Sequence, residues 1–278
     1  MDTAAITQLH KLHQVQLEML DEFDRLCRKH GLSYWLDSGS ALGAIRHQGF
    51  IPWDDDVDIG MIREDYEKFI SIAEKEMSSD YVIFDNRSEP LYNNFHIKIK
   101  KRNTLYPQAY DYNFNCRGIQ VDIFPFDYVP DNSKKTIRRC KMIQKYRRLS
   151  DLATRKALSN NPIKLIIQCI AKILPEKVYR NHFNNLCQKY NSAPTGFLTS
   201  HTYRMQRTKV RIFNTEHMIP TQRIAFEDRE YSIMNNPDAY LKNMYGDYMK
   251  LPPAEQREYH LVGEIIFDTN AINADDNQ

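Results

Sequence analysis

Between Ala4 and His30 apolar residues recur at Ile6, Leu9, Leu12, Val15, Met19, Leu20, Phe23 and Leu26. Steps of three and four residues put these on one face of a long helix, and Gly31 supplies a stop that tolerates the left-handed conformation. The period then shortens. Ser33 to Leu36 reads as a strand, Asp37-Ser38-Gly39-Ser40 as a turn, and Ala41 to His47 as a helix launched from it. Such a unit presents unpaired backbone amides at its mouth. Gln48-Gly49 leads into an acidic run, within which Asp56 to Gly60 reads as a strand with Val57 and Ile59 turned inward. Helical spacing returns over Arg63 to Met77 through Tyr66, Phe69, Ile70 and Ala73. Further strands are predicted over Tyr81 to Phe84, Asn94 to Lys100 and Ile119 to Phe124.

From Lys134 the spacing is helical to about Tyr190, and beyond Ser192 short strands mix with a helix near Pro237 to Met244. The order predicts an α+β fold: a mixed sheet flanked by helices, with a helical elaboration. We divide it into a core with an N-terminal helix over 1–130, a helical elaboration over 131–191 and a C-terminal α+β segment over 192–278. Lys134 to Arg148 contains eight basic residues and no acidic one. The apolar stretch Ile163 to Leu174, interrupted every four residues by Lys164, Gln168 and Lys172, is only 12 residues long. That is well short of the ~20 needed to span a bilayer. A face so broadly apolar is expected first to pack against the core. Its functional reading is peripheral contact with the inner surface of a membrane, to which the nearby basic residues would add.

Composition narrows the function. The 278 residues hold 38 Lys and Arg against 36 Asp and Glu, a formal net charge of +2, so no nucleic-acid partner is expected. The five cysteines, Cys27, Cys116, Cys140, Cys169 and Cys187, lack the close spacing of zinc or redox motifs and read as ordinary buried thiols. The start, Met-Asp-Thr, is not followed by a basic and then apolar segment, so a secretory signal is not expected. The expected location is cytoplasmic.

The sharpest chemical feature is acidic. Asp54, Asp55, Asp56 and Asp58 fall within five positions, flanked by Phe50-Ile51-Pro52-Trp53 and by Val57 and Ile59. On a strand, Asp56 and Asp58 would point to one face and converge on a divalent cation. Mg²⁺ suits such hard oxygen ligands and leaves positions open for phosphate oxygens. A solvated acidic turn is the bland alternative, which the apolar flanks disfavour. An EF-hand loop starting at Asp54 fails, because Ile59 and Asp65 stand where glycine and glutamate are required. Asp122, between Val121 and Ile123, offers a third strand carboxylate. Arg46, His47 and Lys98 are candidate phosphate contacts, with surface ion pairs as the competing role. Trp35, Trp53 and Tyr92 are the nearest candidates for an aromatic cage around a quaternary ammonium, with core packing as the competing role.

Gly39-Ser40, the Asp56/Asp58 pair and Asp122 together resemble the nucleotidyltransferase-fold pattern. More specifically, SGSALGAIRHQGFIPWDDDVDIGMIREDYEKF from Ser38 to Phe69 resembles the signature of the LicD family, related to fukutin. The resemblance continues in VDIFPFD at Val121 to Asp127 and in YLKNMYGDYMKLPP at Tyr240 to Pro253. It implies a nucleotidyltransferase-like fold and transfer of phosphocholine, or a related phospho-alcohol, from CDP-choline or another CDP-alcohol donor. The acceptor would be a hydroxyl of a cell-surface glycan or its precursor, lipid-linked forms included. Carried over by position, Asp56, Asp58 and Asp122 form the metal triad for Mg²⁺ or Mn²⁺, with Asp54 as an added acid and Asp122 as a candidate base. Gly39 and Ser40 form the phosphate turn, Ser40 standing where threonine is expected more often. Two other classes stay open: a sugar-nucleotide glycosyltransferase using an Asp-x-Asp metal motif, and a non-catalytic glycan- or ion-binding module.

Overall fold

The structure is a computed structural model that describes residues 3–89, 92, 94–106, 117–155, 158, 160–203, 210–253, 257 and 263–269. The first helix, α1 (Thr3–His30), buries Leu12, Leu17, Met19, Leu20, Phe23 and Leu26, the face its spacing defines. It ends at Gly31 with φ +63°, where a side chain would be strained. There follow β1 (Trp35–Leu36), α2 (Ser38–His47), β2 (Asp58–Ile62), α3 (Arg63–Glu76), β3 (Tyr81–Phe84), β4 (Ile97–Lys101) and β5 (Gln120–Val129). The main sheet runs in the order β1, β2, β5, β4, β3, with β2 and β5 parallel and their other neighbours antiparallel. The fold is α+β with a mixed sheet, consistent with a nucleotidyltransferase-like core.

Several boundaries move for a physical reason. β2 starts at Asp58 and not Asp56, because the preceding backbone is bound by side chains: His13 reaches the Asp54 carbonyl, while Gln16 and Tyr106 donate to that of Asp55. Pairing with β5 begins only at Asp58 opposite Asp122. α2 starts at Ser38, so Gly39 and Ser40 lie in its first turn and not ahead of it. β5 runs on past Phe124 because Asp127, Tyr128 and Val129 pair with β6 (Phe197–Thr199), which in turn pairs with β7 (Phe213–Asn214).

Residues 131–191 carry α4 (Lys134–Thr154), α5 (Pro162–Ala171) and α6 (Glu176–Cys187). α4 and α6 close over the core through Phe95, Ile143, Phe183 and Cys187, and Arg180 donates to the carbonyls of Tyr92 (3.1 Å) and Asn94 (3.2 Å). The expectation that the apolar stretch of α5 packs inward is overturned. Ile163, Ile166, Ile167 and Ile170 are exposed, and the buried side chains of α5 are Gln168 and Ala171. Gln168 donates to the Arg155 carbonyl at 3.4 Å, so this polar side chain, and not the isoleucines, faces the protein. Cys27, Cys140 and Cys187 are buried free thiols, Cys169 is exposed on α5, and Cys116 lies outside the described residues.

After α7 (Thr215–Met218), the hairpin of β8 (Gln222–Phe226) and β9 (Arg229–Ile233) packs Phe226, Tyr231 and Ile233 into the main core. The last helix, α8 (Pro237–Tyr245), lies against α2. No helix among the described residues is long and apolar enough to cross a membrane.

Candidate active site

The site is built where β2 and β5 begin. Asp58 and Asp122 are register partners on neighbouring parallel strands and so stand side by side on one face of the sheet. The Ser40 hydroxyl accepts from the Asp58 N–H at 2.9 Å, and the Asp37 N–H donates to the Asp58 carbonyl at 2.8 Å. Ser40 thereby fixes the strand carrying Asp58 to the first turn of α2. Asp54 approaches the same turn: a Cβ on Gly39 would fall 2.8 Å from its Oδ2, so the glycine makes room for this carboxylate.

The electrostatics of the two strand aspartates diverge. Burial, then the charges of Asp56, Asp122, Asp37 and Asp54, push the Asp58 carboxyl well above its usual range. Burial acts on Asp122 in the same sense, yet Lys98 and His96 overcome it and hold that carboxyl below the usual range. Lys98 is buried on β4 directly across from Asp122, its Nζ 2.6 and 2.9 Å from the two carboxylate oxygens. His96 Nε2 stands 3.6 Å from Asp122 Oδ2, its ring packed on Phe124.

The remaining sequence candidates are dispersed. Arg46 and His47 occupy the end of α2 opposite to Gly39 and Ser40, roughly 10 Å away along the axis. Arg46 donates to the Tyr248 carbonyl at 2.8 Å and to His47 Nε2 at 3.0 Å. Trp35 is core, pressed against Gly60, and Tyr92 is buried against Phe84. Trp53 is partly exposed and carries the Arg257 guanidinium 4.3 Å over its ring.

Sequence reasoning missed Asp37, Tyr203, Tyr240 and Tyr245. Asp37 is the N-cap of α2, yet its side chain makes no cap bond. Both carboxylate oxygens turn instead to phenols: Tyr240 donates at 2.5 Å and Tyr203 also donates. Burial drives the Asp37 carboxyl upward despite these donors. The first-turn amides of Gly39 and Ser40 are consequently left without a side-chain cap, beside the acidic cluster. Tyr245 is 44% exposed at the end of α8, yet its hydroxyl is pushed upward, by desolvation of that group first and then by the charges of Asp58, Asp37, Asp54 and Asp56. Its position in YLKNMYGDYMKLPP was visible, but its role was not.

A hard divalent cation fits this donor set in kind. Four aspartates, Asp54, Asp56, Asp58 and Asp122, bring oxygen ligands and no thiolate, and the repulsion on Asp58 is what an ion would relieve. Lys98 already neutralises part of the Asp122 charge. Among the described residues, the ligand atoms that gather as a threesome within 4.8 Å of one another are those of Asp127, Cys187 and His201, not those of the four aspartates. There the cation's place is taken by Arg63, which grips Asp127 through two bonds of 2.9 Å, with Asn191 adding a third at 2.8 Å.

Residues 31–160 match the family model described as LicD/FKTN/FKRP, nucleotidyltransferase domain. The chain is also 31% identical, over 270 residues, to the lipopolysaccharide cholinephosphotransferase LicD of Haemophilus influenzae, covering 92% of this chain and 97% of that protein. The chain belongs to the LicD family. Shorter matches join this LicD-family protein to the human ribitol 5-phosphate transferase FKRP, 60% identical over 35 residues (13% of this chain, 7% of FKRP). Mouse ribitol-5-phosphate transferase FKTN is 37% identical over 59 residues (21% of this chain, 13% of FKTN).

Proposed function

We propose that this LicD-family protein is a metal-dependent transferase. It moves phosphocholine, or a related phospho-alcohol, from a CDP-activated donor to a hydroxyl of a cell-surface glycan or its precursor. The observation that carries the reading is the in-register pair Asp58 and Asp122 beside the uncapped first turn of α2. The activities for which the relatives are named, cholinephosphotransfer and ribitol phosphate transfer, support the class of cargo.

A bound Mg²⁺ or Mn²⁺ would neutralise the diphosphate and polarise the phosphoryl oxygen under attack. Asp56 and Asp58 are the residues to hold it, with Asp54 and Asp122 alongside. The Gly39 and Ser40 amides, at the positive end of α2, suit a phosphate oxygen. Ser40 holds Asp58 in place, and Lys98 keeps Asp122 ionised. A carboxylate held below its usual range is a weak proton acceptor, which favours an electrostatic role for Asp122 over that of base. Phosphoryl transfer through a loose transition state tolerates this, since positioning and charge stabilisation dominate. The acceptor hydroxyl oxygen forms the new bond to phosphorus as the bond to CMP breaks; CMP leaves with that electron pair, and the hydroxyl proton passes, as its bond to phosphorus forms, to the departing CMP phosphate or to water. For a choline cargo, the partly exposed Trp53 face offers cation–π chemistry, which the Arg257 guanidinium now exercises. The buried free thiols Cys27, Cys140 and Cys187 favour a reducing, cytoplasmic setting.

Thermal unfolding with different nucleotides tests the donor class. A ligand at about 100 times its Kd stabilises by ~2.7 kcal/mol, several degrees in Tm. CDP-choline with Mg²⁺ is expected to produce that shift and UDP-sugars little of it. A larger shift with a UDP-sugar would transfer the assignment to a glycosyltransferase, and no shift with any nucleotide would defeat the reading.

A further inference from the structure

Helix α5 presents its apolar side to solvent. Ile163 is 69% exposed, Ile166, Ile167 and Ile170 are also exposed, just beyond the helix Ile173 reaches 76%, and Leu174 and Val178 that follow are exposed as well. On a 3.6-residue period Ile163, Ile166, Ile167 and Ile170 form one stripe. The protein-facing side is occupied by Gln168 and Ala171, so the stripe is not a core face that has slipped: the helix is docked by its other edge. Contiguous exposed apolar surface of this kind marks an interaction site.

The charge around the stripe identifies what covers it. Residues 131–191 hold 15 Lys and Arg against 3 Asp and Glu, a net +12, whereas the whole chain is only +2. The rest of the chain is thus net acidic, and the net positive charge belongs to the segment that carries α5. Lys164 on α5, Lys172 and Lys177 beyond it, and Arg138, Lys141, Lys145 and Arg148 on α4 are all exposed. Glu176, one of the three acids, is spent on Arg180 at 2.8 Å.

We propose that α5 is a membrane-docking element, seated on an anionic lipid surface with its isoleucines in the interface and the surrounding Lys and Arg against the headgroups. This deepens the proposed function by giving the acceptor-side surface of the enzyme, and it rests on that reading only for its purpose. A second copy seated on the same face would bring two strongly basic layers together, which like-charge repulsion opposes. The stripe is also purely aliphatic, without the aromatic anchors that enrich protein interfaces. An apolar stripe bordered by cations is the pattern of an interfacial helix.

The test is sedimentation of the full chain with vesicles. Binding to phosphatidylglycerol-rich vesicles at low salt is expected, at least ~10-fold stronger than to phosphatidylcholine vesicles and weakened by added salt. Ile166→Asp with Ile170→Asp, both exposed and so compatible with folding, should abolish it. Lys164→Gln with Arg148→Gln should weaken it several-fold on anionic vesicles alone. Nucleotide-dependent stabilisation and transfer to a soluble acceptor should be unchanged in these variants, which separates failure of this inference from failure of the catalytic assignment. Wild-type protein that stays in the supernatant at low salt would overturn the proposal. So would a dimer in solution that the Asp substitutions dissociate without any vesicle binding.

Discussion

Asp58→Asn is expected to lower transfer at least ~100-fold while leaving the fold intact. The carboxyl sits beside Asp122 and also feels the charges of Asp56, Asp37 and Asp54, so its charge matters most when a cation and a diphosphate share the site. Removing one preorganised electrostatic contact of this kind costs ~3 kcal/mol in the transition state. The fold should survive, because the strand is fixed by backbone groups: the Asp58 N–H bonds to Ser40 Oγ and its carbonyl accepts from Asp37. The substitution also relieves repulsion, so stability without metal should rise, not fall. Release of CMP by the purified variant, alongside its melting curve, checks both halves. Near-normal turnover in the folded variant would remove Asp58 from the site.

Arg63→Met is expected to cost about 3–5 kcal/mol of stability, the usual penalty for leaving a buried charge alone. Arg63 and Asp127 are both buried and joined by two bonds of 2.9 Å, tying the start of α3 to β5. The loss should lower Tm by roughly 10 °C. The pair also predicts a pH dependence. Burial would raise the Asp127 carboxyl, but Arg63 outweighs it and holds the group below its ordinary value of 3.8. A depressed carboxyl contributes stability that is present above the unfolded value and lost as pH falls through the folded one. Wild-type stability should therefore decline on acidification below about pH 4, and Asp127→Asn should flatten that part of the acid limb. A Tm within a degree of wild type for Arg63→Met would show the pair to be dispensable.

Much of this architecture is written locally in the sequence. α1 and α3 follow from a three-and-four spacing of apolar residues, and β4 and β5 from alternation at Ile97, Ile99, Val121 and Ile123. The acidic cluster was legible because its flanks are apolar. What was not legible depends on distant partners. Asp37 is bonded to Tyr203 and Tyr240, 166 and 203 positions away, and nothing near Asp37 announces two phenols. Lys98 reads from the sequence as a phosphate contact or a surface ion pair, yet the sheet order buries it opposite Asp122. For α5 periodicity gives a stripe but not the side that docks. The docked side carries Ala171 and Gln168, whose bond to the Arg155 carbonyl is invisible to hydropathy.

The most direct test of the central claim is CMP release from CDP-choline by the purified protein with a glycan acceptor, measured with Mg²⁺, after chelation, and after Mg²⁺ or Mn²⁺ is restored. We expect turnover with metal, its disappearance on chelation and its recovery with either ion, because oxygen ligands and phosphate favour hard cations. Full turnover in the presence of chelator would contradict the metal-dependent phosphotransfer argued from Asp56, Asp58 and Asp122.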